Sequence, residues 1–162
     1  MDDTVVIGIG DYVVVEGDTK TSTVGLGSCI GTVLYDDQKK ISGMSHIMLP
    51  AKGNREDRPG KYADAAIPIL IDEMVKKGAL KSRIKAKIAG GASLFAFTED
   101  NLKIGERNTE AVKKVLSEQN ISLIAKDVGG DRGRTIIFDP VTNKLFIKMV
   151  KKGPNEPVEK TI

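Results

Sequence analysis

The sequence predicts an α+β domain built in layers: a mixed sheet with two main helices on one face and a second sheet beneath it. Three observations point this way. β-Branched stretches arrive in runs instead of alternating one for one with helices. Two segments alone, near residues 62–77 and 108–119, carry apolar side chains at helical spacing. The surplus of strand-like stretches, roughly eight to ten, exceeds what a single sheet under two helices usually holds. A chain of 162 residues can bury a core without disulfides. We read 1–150 as one domain and 151–162, polar and broken by Pro154 and Pro157, as a flexible tail.

In order, Val5–Glu16 is β-branched and interrupted by Gly8 and Gly10, suggesting one or two short strands. Gly8-Ile9-Gly10 lacks the third glycine and the following helix of a dinucleotide fingerprint. Gly17–Ser22 reads as a loop, and Cys29–Tyr35 with Ile41–Met48 as a β-hairpin around the polar turn Asp36-Asp37-Gln38-Lys39-Lys40. Pro50–Lys61 is an exposed loop. Tyr62–Lys77 is helical, capped by Gly78, with Pro68 calling for a kink or a start near Ile67. Lys85–Ala89 is a strand, followed by Gly90-Gly91 and the apolar patch Leu94–Phe97. A second helix should start with Asn108 as N-cap. Ile121–Lys126, Arg134–Phe138 and Leu145–Val150 complete the strands.

The chemistry concentrates in Thr23-Val24-Gly25-Leu26-Gly27-Ser28-Cys29-Ile30-Gly31, which holds the only cysteine, and in His46, the only histidine. Pairing Tyr35 with Lys40 would set Cys29 directly opposite His46, on one sheet face with Cβ atoms about 4.5–5.5 Å apart. An imidazole so placed takes a proton from a thiol and returns it to a leaving amine, the cycle of acyl transfer. Glycines beside the thiol leave the Ser28 and Cys29 amides open to a substrate oxyanion, with Gly27 giving room for approach. Thr23 is a candidate to orient the ring. Gly27-x-Cys29-x-Gly31 also matches a nucleophile elbow, but the following Ile30–Tyr35 is strand-like where an elbow requires a helix. One Cys and one His do not complete a metal shell, and no cofactor motif appears. The 25 basic and 22 acidic residues are interspersed, which argues against nucleic acid. An unpaired thiol, with no apolar signal or membrane-length segment, suggests the cytoplasm. The plain alternative is a non-catalytic binding module whose cysteine is merely packed.

The chain resembles the chemoreceptor glutamine deamidases of the CheD family. The resemblance rests on Gly25-Leu26-Gly27-Ser28-Cys29 with Thr23 six residues before the cysteine, and on Gly43-Met44-Ser45-His46-Ile47-Met48-Leu49-Pro50. It continues through Lys61-Tyr62-Ala63-Asp64, Gly90-Gly91-Ala92 and Ile104-Gly105-Glu106-Arg107-Asn108. It implies a three-layer α/β/β sandwich and a Cys29–His46–Thr23 triad that hydrolyses receptor glutamine side chains to glutamate through a cysteine thioester, releasing ammonia. It further implies chemoreceptor cytoplasmic domains as protein substrates and the phosphatase CheC as a partner, with no membrane insertion.

Overall fold

The structure, a computed structural model, describes residues 3–93, 99–154 and 156–162, without the side chains of 99–103. Ten strands and two α-helices are described, besides two single 3-10 turns: β1 Val5–Ile7, β2 Tyr12–Glu16, β3 Thr21–Leu26, β4 Ile30–Asp36, β5 Ile41–Ile47, α1 Ala63–Lys76, β6 Lys85–Gly90, α2 Glu99–Glu118, β7 Ser122–Val128, β8 Arg134–Asp139, β9 Lys144–Met149 and β10 Val158–Thr161. They form two five-stranded sheets, β2-β5-β4-β6-β7 and β1-β3-β8-β9-β10. Each sheet mixes parallel and antiparallel pairs, with β6–β7 and β1–β3 parallel. The expected three-layer α/β/β sandwich is the fold found.

The side-chain period of two explains the layering. Along β4, Ile30 and Leu34 face α1 and α2, while Val33 and Tyr35 face the second sheet. Every residue of β4 and β5 is buried, as expected of strands covered on both faces. β8 and β9 alternate, because one face of the outer sheet meets solvent. Two cores result, one between helices and inner sheet, the other between the sheets.

Four local readings change. α1 runs unbroken from Ala63 through Pro68. The proline removes one backbone donor, but Ala63, Ala66, Ile67, Leu70, Ile71 and Met74 form a continuous buried stripe that holds both halves of the helix to the sheet. α2 starts at Glu99, so Asn108 lies inside the helix and not at its N-cap. The stretch read as a flexible tail carries β10, which pairs antiparallel with β9. Ile162 beyond it exchanges backbone hydrogen bonds of 2.9 and 3.0 Å with Leu145. Short polar edge strands have no apolar pattern to betray them, since one face and one edge are wet. Finally, β3 begins at Thr21, within the stretch read as a loop. The Leu94–Phe97 patch lies outside the described residues.

Candidate active site

The β4–β5 hairpin brings the two singleton residues to one end of the inner sheet, in a register two residues away from the one expected. Asp36 pairs with Ile41 and Gly31 with His46. The turn closes later than expected because the Asp36 carboxylate accepts from the Gln38 and Lys39 amides, and Lys40 adopts a left-handed φ of 53° as the last turn residue. A slip of one residue would have put Cys29 and His46 on opposite faces; a slip of two preserves the face. Cys29 therefore lies diagonal to His46, just before β4, and both face the outer sheet. In a regular ladder such diagonal neighbours have Cβ atoms about 7–8 Å apart or a little less.

His46 is fully buried and fixed by its backbone, whose N–H donates to Asp11 O at 3.1 Å and whose C=O accepts from Gly10 N at 2.9 Å. Its ring meets Thr23, which β3 places in the facing sheet. Thr23 Oγ1 lies 2.7 Å from His46 Nδ1 and 2.8 Å from Ile7 O. A hydroxyl carries one proton, and the Ile7 carbonyl can only accept. Thr23 thus donates to Ile7 and must accept from His46 Nδ1–H. This assigns the ring proton to Nδ1 and leaves Nε2 with a bare lone pair. Nε2 is buried and without a hydrogen-bond partner among the described residues. Burial lowers the imidazole pKa, opposed in part by the Asp11 charge, and burial raises that of the Cys29 thiol. Both shifts favour the uncharged forms, thiol and neutral imidazole.

The Cys29 loop is gripped by its carbonyls. Gly27 O accepts from Ala92 N at 2.8 Å and Cys29 O from Gly91 N at 2.9 Å. Ser28 O accepts from Asn108 Nδ2 at 2.9 Å. The left-handed φ of Gly90, 117°, lets that segment turn against the Cys29 carbonyl, where a Cβ would collide with it. With the carbonyls engaged, the Ser28 and Cys29 amides have no acceptor among the described residues. The structure thus gathers Thr23, His46, Cys29, Ser28 and Gly27 at one end of the sandwich. Sequence reasoning missed the Ile7 carbonyl, which decides the tautomer, and the contact of Asn108 with the Cys29 loop. Asn108 had left one signal: it shares a helical stripe with Val112 and Val115, both buried.

A family model described as CheD chemotactic sensory transduction matches residues 48–149. A Halalkalibacterium halodurans protein named chemoreceptor glutamine deamidase CheD is 48% identical over 161 residues, covering 96% of this chain and 99% of its own. The chain belongs to the CheD family. A Clostridium botulinum relative, named a probable chemoreceptor glutamine deamidase CheD, is 51% identical over 154 residues, covering 93% of this chain and 95% of its own. The family-model match begins after Thr23, Cys29 and His46, whereas the span of these two relatives takes in nearly the whole chain. Among solved structures, the Bacillus licheniformis hypothetical protein YfiH superposes with a TM-score of 0.49 at 10% identity, over 72% of this chain and 49% of its own. That likeness is too slight to argue from.

Proposed function

We propose that this CheD-family chain is a cysteine-dependent protein-glutamine deamidase acting on chemoreceptor cytoplasmic domains. The names of its close relatives supply the substrate class. The observation that carries the chemistry is the tautomer imposed by Thr23, which leaves His46 Nε2 free to accept a proton on the face shared with Cys29. Cys29 Sγ attacks the side-chain carbonyl carbon of glutamine as its proton passes to Nε2. The oxyanion settles against the Ser28 and Cys29 amides. The imidazolium then protonates the departing nitrogen, ammonia leaves, and a thioester remains. Water, deprotonated by Nε2, attacks the thioester, releasing glutamate and returning the proton to sulfur. Thr23 takes no part in proton transfer; it holds the ring and its tautomer.

A primary amide has a small leaving group, so the site needs no long peptide cleft. No described helix is long and apolar enough to cross a membrane. Action on receptor cytoplasmic domains places the chain in the cytoplasm, and family resemblance adds the phosphatase CheC as a partner. The burial of Cys29, which is 9% exposed, favours the competing reading of an adaptor with a packed thiol. One assay separates them. Incubated with a receptor cytoplasmic fragment, the wild type should add about one dalton per modified glutamine, and Cys29→Ala should add nothing while keeping its fold. An unchanged fragment with wild type, or undiminished turnover by Cys29→Ala, removes the proposal.

A further inference from the structure

The β4–β5 ladder ends at the Ile30–Ile47 pair, so Ser28 and Met48 both lie just beyond it, with the Met48 amide donating to Lys61 O and not to the Cys29 loop. One side chain joins them. Asn108, fully buried in α2, donates through Nδ2 to Ser28 O at 2.9 Å and to Met48 O at 3.0 Å. Both amide protons are engaged on segments 80 and 60 residues away in sequence. Since both partners are carbonyl oxygens, the nitrogen must be the atom that faces them.

The helix is shaped for this reach. A Cβ at Gly105 would stand 2.5 Å from Gly91 O and 2.7 Å from Ala92 O, so only glycine lets α2 come this close to the segment whose amides grip the Cys29 loop. Asparagine is disfavoured inside helices and brings an unpaired acceptor onto a buried stripe, but an aliphatic residue there would leave the Ser28 and Met48 carbonyls without this donor. Asn108 Oδ1 is just such an acceptor, buried and unpaired among the described residues. His46 Nε2 has no hydrogen-bond partner among the described residues, so no direct bond to the thiol fixes their separation.

We propose that Asn108 is the positioning residue of the reacting pair: its amide ties the carbonyl preceding Cys29 to the strand end following His46 and thereby fixes how thiol and imidazole stand to each other. The inference rests on the deamidase reading above. Wild type, His46→Ala, Asn108→Ala and Val112→Ala are compared for kcat and KM on a receptor fragment, for thermal midpoint, and for the rate of Cys29 alkylation by iodoacetamide at neutral pH. Asn108→Ala should lose about 100-fold in kcat with little change in KM, and its alkylation rate should fall to that of His46→Ala. Val112→Ala, which opens a cavity one turn further along α2, should lower the thermal midpoint but keep kcat. Asn108→Asp, which keeps the volume and loses the donor pair, carries the same expectation as Asn108→Ala. A folded Asn108 variant with kcat within about threefold of wild type overturns the inference. So does a loss matched by Val112→Ala, or failure of both Asn108 variants to fold. A wild type that neither deamidates the fragment nor alkylates faster than His46→Ala removes the parent reading and this inference together, and the wild-type arm alone reveals it.

Discussion

The two ends of the β4–β5 hairpin treat a buried ionisable side chain in opposite ways. At the turn end the fully buried Asp36 is saturated: its carboxylate accepts from the Gln38, Lys39 and Leu80 amides and from the Arg83 guanidinium at 3.1–3.2 Å. At the open end His46, equally buried, keeps one ring nitrogen paired with Thr23 and the other with nothing among the described residues. A satisfied buried polar group welds elements together; an unsatisfied one carries a desolvation cost with no structural return, which is how a reactive group is held ready. One hairpin thus anchors the fold at one end and, on the proposed reading, presents the base at the other.

Breaking the saturated end should show first and most strongly in stability. Asp36→Ala strands the Arg83 charge and the Leu80 amide, and should cost about 3–5 kcal/mol in urea unfolding, while the protein that remains folded keeps its deamidase kcat. Loss of activity without loss of stability would contradict the division of labour between the two ends. The open end answers through rate. Thr23→Val keeps the shape but frees the imidazole tautomer, and kcat should fall about 10- to 100-fold with the urea midpoint shifted far less than in Asp36→Ala. Thr23→Ser should restore most of the activity.

The smallest effect is in pH dependence, and the two ends differ there too. His46 must be neutral to act as base, and its lowered pKa keeps it neutral further into acid. The acid limb of kcat/KM should therefore lie below the ordinary imidazole value of about 6.5. At Asp36, burial alone would raise the carboxyl pKa, but the hydrogen bonds from Arg83, Leu80 and Lys39 outweigh it and hold the group below its ordinary range. A depressed folded-state pKa adds stability that is present above the unfolded value and lost as pH falls below about 4 toward the folded one. A pH–rate profile checks the first expectation, with an acid limb at or above about 6.5 counting against it, and urea midpoints over the acid range check the second.

The shared face of Cys29 and His46 was legible before any coordinates, for a reason particular to strands. The hairpin register shifted by two, yet Cys29 and His46 stayed on one face, because only parity decides the face and an even slip keeps it. Thr23 was nameable as an orienting residue, but its partner Ile7 O was not, since a backbone carbonyl leaves no residue-type signal. Asn108 was misread for a related cause. An asparagine ahead of an apolar helical pattern looks like an N-cap, and here the same hydrogen-bonding capacity is turned on carbonyls of two remote segments. β10 escaped notice because an edge strand needs backbone partners more than apolar side chains.

The sequence by itself determined the layers and marked the candidate pair: the periods of its apolar residues assign faces to helices and strands, and the only thiol and the only imidazole stand out as singletons on one hairpin. Tertiary structure alone decided which imidazole nitrogen holds the proton and how the Cys29 loop is gripped. Those features depend on hydrogen bonds between residues far apart in sequence, such as Thr23 with His46 and Asn108 with Ser28 and Met48. No local pattern encodes such bonds, because they exist only once the two sheets and α2 have packed.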